Sequence, residues 1–306
     1  MSSPSHLLRG LGWIFLSILM WAPMFSIGKR ALSVVDAFGL ATLRYVFGSM
    51  LLVALLWAIE GRQALRFEGR LIPATVFGLI GIACFNLLVW CGLTLTRPEH
   101  AAIIMATQTP LIAITVWLTR GQRPAPLVIG CVVAVLAGVV LVVTKGDPAR
   151  AFEGGTILGD ALVFLGAVSW VIYTLSAPRF AGWSPLRLTV LTCVPGAIGL
   201  FVANGIAIAA GLATLPSVAA VASIGWQILY FSFGTVVLGI LGFNFGVRHL
   251  GPLNAMLSLN LIPVSVFAIE AALGRSFAAI EIAGAALVIA ALVANNLYLR
   301  RTSSGK

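Results

Sequence analysis

Apolar runs of about 20 residues, each the length an α-helix needs to cross the ~30 Å hydrocarbon core of a bilayer, follow one another along nearly the whole chain. Charge, proline and glycine cluster between the runs. These breaks predict spans over 10–28, 37–59, 72–95, 99–119, 125–144, 157–178, 186–210, 222–247, 252–273 and 277–298. The expected fold is an all-α membrane protein of ten transmembrane helices. Only the connections 60–71, 145–156 and 211–221 have room for local structure. A soluble domain carries about 25% charged residues because its surface meets water. Here 9% of the 306 residues are charged and 60% are hydrophobic, so most of the outside must meet lipid. The opening stretch SHLLRGLGWIFLSILMWAPMFSIGKR has the basic flank of a secretion signal. Its apolar core is too long and no small-x-small cleavage site follows, so it reads as the first span.

A net charge of +10 can signal a polyanionic partner, but the placement of the basic residues accounts for most of it. One set of alternating connections holds twelve lysines and arginines, among them Arg62, Arg66, Arg70, Arg179 and Arg187. The other set holds six, Lys29, Arg30, Arg97, Lys145, Arg150 and Arg275, and Arg44 alone falls inside a span. The positive-inside rule puts the richer set in the cytoplasm. Both termini are then cytoplasmic, in a bacterial inner membrane, with lipid rather than nucleic acid as the surrounding partner. Cys84, Cys91, Cys131 and Cys193 all fall inside spans, without CxxC spacing or a histidine at ligand distance. They read as packing residues, and neither a metal nor a cofactor is expected.

The chain repeats itself. GLGWIFLSILMWAPMFSIGKR (10–30) aligns with GDALVFLGAVSWVIYTLSAPR (159–179) at a shift of 149, so that Gly10, Phe15, Leu16, Trp21 and Arg30 meet Gly159, Phe164, Leu165, Trp170 and Arg179. At a shift of 153, Pro110 meets Pro263 and Gly121 meets Gly274. The halves are 1–147 and 148–306, five spans each. An odd number forces the second half into the membrane upside down, and inverted repeats of this kind mark secondary transporters with a substrate site between the halves.

FNFGVRHLGPLNAMLSLNLIPVSVFAIEAALGRSFAAIEIAGAALVIAALV, which closes the second half, resembles the repeat of the drug/metabolite transporter superfamily, EamA type. Its proline, the glycine before the last helix and Gly284 within that helix carry the likeness, and a looser copy runs from Glu99 to Val143. Within the superfamily the chain is similar to aromatic amino acid exporters. The resemblance implies a central cavity lined mainly by the first, third, fourth, sixth, eighth and ninth helices, with the fifth and tenth peripheral. It also implies a glutamate after the glycine that ends the fourth helix of each repeat; Gln122 and Arg275 stand there instead.

Two amide–proline pairs sit in mid-run, Gln108 with Pro110 and Asn260 with Pro263. A proline inside a helix bends it and leaves a carbonyl without its N–H, which hydrocarbon tolerates only where protein or a wet cavity meets it. Gln108 and Asn260 therefore face either a central cavity, as substrate contacts, or neighbouring helices; Pro110 and Pro263 bend or gate. Trp21 and Trp170 lie deeper than the tryptophans of an interfacial belt (Trp13, Trp57, Trp117, Trp183, Trp226). As repeat mates they suit an aromatic wall, with Met24 and Tyr173 three residues on along the same faces. Asn86 and Trp90, one turn apart, complete the candidate set, for which core packing is the competing reading.

No acid is expected at mid-span: Asp36, Glu60, Asp160, Glu270 and Glu281 fall near span ends, where a proton-coupling carboxylate would be central. Arg44 reads as a structural partner of Asp36, and His100 and His249 as helix-end caps. A GxGD pair, HExxH, a P-loop and an acidic metal cluster are all missing, so no catalytic residue and no enzyme is expected. The expected function is export of amino acids, aromatic and other hydrophobic ones preferred, by alternating access, with no obligatory carboxylate proton cycle. A proton-coupled exporter of drugs or other small metabolites is the alternative. The protein is expected as a monomer, a dimer remaining open.

Overall fold

The computed structural model describes residues 4–121, 125–147, 156–251, 255, 258–259 and 261–303, and among these every regular element is helical. Among the described residues six helices are long and apolar enough to cross a membrane: Leu8–Ala31, Ala37–Glu60, Leu71–Leu95, Thr156–Phe180, Pro185–Ala209 and Gly225–Leu250. Pro126–Val142, Leu261–Ala272 and Ala279–Asn295 are shorter apolar helices. Large apolar side chains such as Phe47, Leu118, Phe201, Ile206 and Leu229 point outward, far more than a water-facing surface carries in contiguous patches. Trp57 and Trp226 are exposed among them. The chain is a multi-pass membrane protein.

Local chemistry sets the helix starts. Asp36 caps the Ala37–Glu60 helix by accepting from Gly39 N at 2.7 Å, and Ser184 caps Pro185–Ala209 by accepting from Arg187 N at 2.9 Å. Such caps satisfy N–H groups that the first turn leaves without partners. Asp36 also accepts from Thr214 N at 3.0 Å. The expected Asp36–Arg44 pair is therefore absent, because the short Asp36 side chain is consumed by backbone donors at its own end of the helix.

The first span breaks after Trp21, where Pro23 interrupts the ladder between Pro4–Trp21 and Met24–Ala31. The fourth breaks between Pro98–Met105 and Gln108–Arg120, so Pro110 lies in the first turn of a new helix, where a missing N–H costs little. Pro263 lies likewise near the start of Leu261–Ala272. The carbonyl that Pro263 was expected to leave free, that of Leu259, instead accepts from Ile262 N at 2.9 Å.

The helices pair across the two halves. Pro4–Trp21 packs on Leu241–Leu250 and on the π-helical stretch Tyr230–Ile240; Thr156–Ser176 packs in the same way on Phe85–Leu95 and the π-helical Leu79–Cys84. Ala37–Glu60 packs on Pro185–Ala209, and Pro126–Thr144 on Ala279–Ser303. The last crossing is set by two glycines: a Cβ on Gly138 would come 2.7 Å from the Gly284 carbonyl oxygen, and one on Gly284 2.8 Å from that of Gly138. Gly242 and Gly246, at GxxxG spacing, admit the Trp13–Ser17 segment in the same manner. Of the cysteines only Cys193 is buried, and all four are free thiols.

The Gly138–Gly284 crossing gives a direct test. Gly284→Leu should lower stability by about 1–3 kcal/mol, the usual effect of overpacking, read as thermal unfolding in detergent. Gly130→Ala, on the same Pro126–Thr144 helix but facing open space, should hold or raise the melting point. Equal melting of the two variants would contradict the close crossing.

Candidate functional site: a central apolar cavity

A cavity of about 60 Å³ lies among the long helices, several times the minimum that admits a water. Its wall takes Trp21, Met24 and Phe25 from the first span, Phe85 from Leu71–Leu95, and Ala102, Met105, Ala106 and Gln108 from the broken fourth span. Trp170, Ile240, Leu259, Ile262 and Pro263 close the far side, and the Ala37–Glu60 helix adds Arg44 and Tyr45. Ala106 and Leu259, which flank the two helix breaks, are both on the wall.

The aromatic lining is held rigidly. Trp21 and Trp170 meet edge to face with centroids 5.8 Å apart, and Phe85 lies 5.1 Å from Trp170. Phe243 backs both tryptophans at 5.7 and 5.6 Å. Trp21 Nε1 donates to the Thr235 carbonyl at 3.0 Å, which fixes the ring from the eighth span. Gln108 is buried, and its amide nitrogen finds only the Met105 sulfur at 3.7 Å. An amide with so weak a partner retains donor capacity for a ligand.

Five sequence candidates thus meet on one wall: Trp21, Met24, Gln108, Trp170 and Pro263. Four others lie elsewhere. Asn86 donates to the Ile82 carbonyl at 2.7 Å and accepts from Trp90 Nε1 at 3.2 Å, so these two satisfy one another inside the helix packing. Tyr173 lies tilted against Trp170 at 5.2 Å and shares a hydrogen bond with Thr192. Pro110 faces Val128, Cys131 and Val135, away from the cavity. Asn260 lies outside the described residues.

The residue that sequence reasoning set aside is Arg44. It is 3% exposed. One terminal nitrogen donates to Thr235 Oγ1 at 2.8 Å, the other reaches only the Met24 sulfur at 3.6 Å, and Nε has no hydrogen-bond partner. The rings of Tyr45, Trp90 and Phe231 surround the guanidinium at 5.2, 5.1 and 5.6 Å. Its being the one basic residue inside a span was the available signal.

A second polar region lies at the Glu99 end of the fourth span. Glu99 is fully buried and ion-paired with Arg275. Glu281 pairs with Lys145 at 3.6 Å and Arg97 at 4.0 Å, and Asp160 accepts from Thr96 and stands 3.6 Å from His100. His100 is therefore buried against Asp160 rather than serving as the helix-end cap expected of it, whereas His249 contacts the Phe245 carbonyl at 2.7 Å in the capping manner. Glu99, His100 and Glu281 bring their ligand atoms within 4.8 Å of one another, a grouping the sequence did not suggest. Arg275 and Lys145 already neutralise both carboxylates, which leaves little attraction for a cation. At the other end of the bundle, Glu68 accepts from Arg187 at 2.9 Å and Trp183 at 3.1 Å, and these bonds hold its carboxyl below the usual range.

Apolar helices around a largely apolar cavity, five of whose fifteen lining residues are aromatic, fit a membrane transporter. The chain belongs to the EamA-like transporter family, whose model matches residues 8–144 and again 157–297. It is 29% identical over 287 residues to "Uncharacterized transporter YrdR" of Bacillus subtilis (strain 168), covering 92% of this chain and 89% of that one. To "Uncharacterized transporter YyaM" of the same organism it is 29% identical over 268 residues, covering 87% and 86%. Among solved structures, one titled "Crystal structure of protein" superposes with a TM-score of 0.69 at 22% identity, covering 97% of this chain and 98% of the other.

The Glu99–Arg275 pair yields a prediction. Arg275→Ala strands a buried carboxylate and should lower stability by about 3–5 kcal/mol, read as the melting temperature in detergent. Glu99→Gln combined with Arg275→Ala should recover most of that loss. A double variant no more stable than the single would mean that the ion pair is not the source.

Proposed function

We propose that the protein exports amino acids from the cytoplasm, aromatic and other hydrophobic ones preferred, by alternating access between two halves. The observation that carries this reading is the cavity wall, where Trp21, Trp170 and Phe85 offer ring faces and edges beside the Gln108 amide. Aromatic side chains gain there both burial and oriented ring contacts. The proposal includes ten spans in two five-helix repeats, 1–147 and 148–306, of inverted orientation. The double family match and the exchanged helix pairings support it. It also includes an inner-membrane location with cytoplasmic termini, from the twelve-to-six bias of basic residues, and a monomeric carrier resembling the aromatic amino acid exporter YddG. Pro263 and Pro110, each beside a helix break, are its bending points.

The second reading, a proton-coupled exporter of drugs or other small metabolites, is favoured by one observation. Glu99, His100 and Asp160 are buried together on or against the helix whose next turns line the cavity, and intramembrane titratable groups commonly serve coupling.

Uptake of labelled tryptophan and phenylalanine into liposomes containing the purified protein separates the two. Saturable uptake with no imposed proton gradient is the expected result. Uptake that requires the gradient selects the coupled reading, and no uptake of any amino acid rejects the amino acid reading. In the same assay Trp170→Ala should raise KM for tryptophan about tenfold or more, equivalent to about 1.4 kcal/mol of lost contact. An unchanged KM in correctly folded variant would remove the aromatic wall from the site.

A further inference from the structure

We propose that Arg44 is the anion receptor of the central cavity and that the ligand it selects is a monocarboxylate carried on an apolar, preferably aromatic, body. This rests on the cavity being the substrate site, though not on the substrate being an amino acid.

An arginine guanidinium keeps its charge inside proteins and presents five N–H donors. Arg44 uses one on Thr235 Oγ1 and a second, weakly, on the Met24 sulfur, while Nε has none to receive it. Among the described residues no carboxylate faces it. Asp36 caps its helix, Glu99 and Glu281 hold Arg275 and Lys145, Asp160 holds Thr96 and His100, Glu60 and Glu68 hold Ser184 and Arg187, and neither the exposed Asp147 nor Glu270 lines the cavity. The rings of Tyr45, Trp90 and Phe231 supply cation–π attraction, which steadies a cation without cancelling its charge. A buried charge in this condition calls for a counter-ion.

The cavity is where that counter-ion enters, since Arg44 lines it beside Trp21, Met24 and Trp170. A planar guanidinium fork matches a carboxylate through two parallel N–H···O bonds. Among its described residues the same wall contains no acid. It therefore has a fixed charge for a carboxylate and none for an ammonium, so the acid end of the ligand is the end that is read.

The test uses the full-length protein in detergent and three probes that share a phenylethyl body: 3-phenylpropionate, its neutral amide and phenethylamine. Calorimetry should find the acid bound at least tenfold more tightly than the amide or the amine. Arg44→Gln, checked for an unchanged melting temperature, should remove that preference, and Arg44→Lys should restore part of it. An amine that binds as tightly as the acid overturns the proposal, as does absence of acid binding at millimolar concentration, or an Arg44→Gln variant that still prefers the acid. Should that variant fail to fold, the comparison of the three probes on the natural protein still decides. Failure of the amino acid reading looks different: the acid binds through Arg44, yet no amino acid enters liposomes. Phenylalanine uptake that 3-phenylpropionate does not inhibit leaves that reading standing and sinks this one.

Discussion

In hydrocarbon a peptide N–H or carbonyl without a partner is costly, and no water is at hand to repair it. The departures from plain helix in this chain are arranged around that constraint. The helices around Pro110 and Pro263 both break, and each proline falls in the first turn after its break, where its missing N–H is least missed. Lys29 collects the carbonyls of Leu93, Thr94 and Thr96 at 2.6–3.0 Å, closing the C-terminal end of the Leu71–Leu95 helix. Tyr230 and Trp21 donate to the Met20 and Thr235 carbonyls, so the broken first span and the π-helical stretch of the eighth satisfy each other. The cavity is what these mutual repairs leave between them.

Charge is treated in two different ways. Near the helix ends, acids and bases meet in near balance, with Glu99 against Arg275 and Glu281 against Lys145 and Arg97. Arg275 occupies a position where the EamA repeat commonly has a glutamate, and its partner is an acid one helix away. Deeper in the bundle, Arg44 has aromatic rings and a hydroxyl for neighbours but no acid. The balanced network is a structural lock; the unbalanced arginine is an unfinished interaction.

Much of this was legible in the sequence, for identifiable reasons. Run length and hydropathy give the helical membrane class directly, and the shift of about 150 residues between GLGWIFL and GDALVFL anticipates the family model's double match. The deep tryptophans were separable from belt tryptophans because depth can be counted along a span. Arg44 was misread because Asp36 is two turns away on the same helix, and sequence proximity concealed that Asp36 faces its own helix end. Asn86, Trp90 and Tyr173 lie off the cavity wall: Asn86 bonds the Ile82 carbonyl and Trp90 at i±4 spacing, which the sequence shows, whereas the Tyr173–Thr192 bond is set by tertiary packing. The Glu99–His100–Glu281 grouping joins residues 182 positions apart in the chain (99 to 281), beyond any local pattern.

A solitary guanidinium in a membrane carrier has an electrical consequence. Moving one elementary charge through the whole bilayer field is worth about 2.3 kcal/mol per 100 mV. With an empty cavity, any change of access that shifts Arg44 within that field feels the voltage; with a monocarboxylate anion seated on it, the same movement carries no net charge. An interior-negative potential then draws the empty form toward loading from the cytoplasm and leaves the loaded form indifferent. For a monocarboxylate anion, voltage alone would bias such a carrier outward; a zwitterionic amino acid keeps its ammonium charge in the loaded form and escapes that bias.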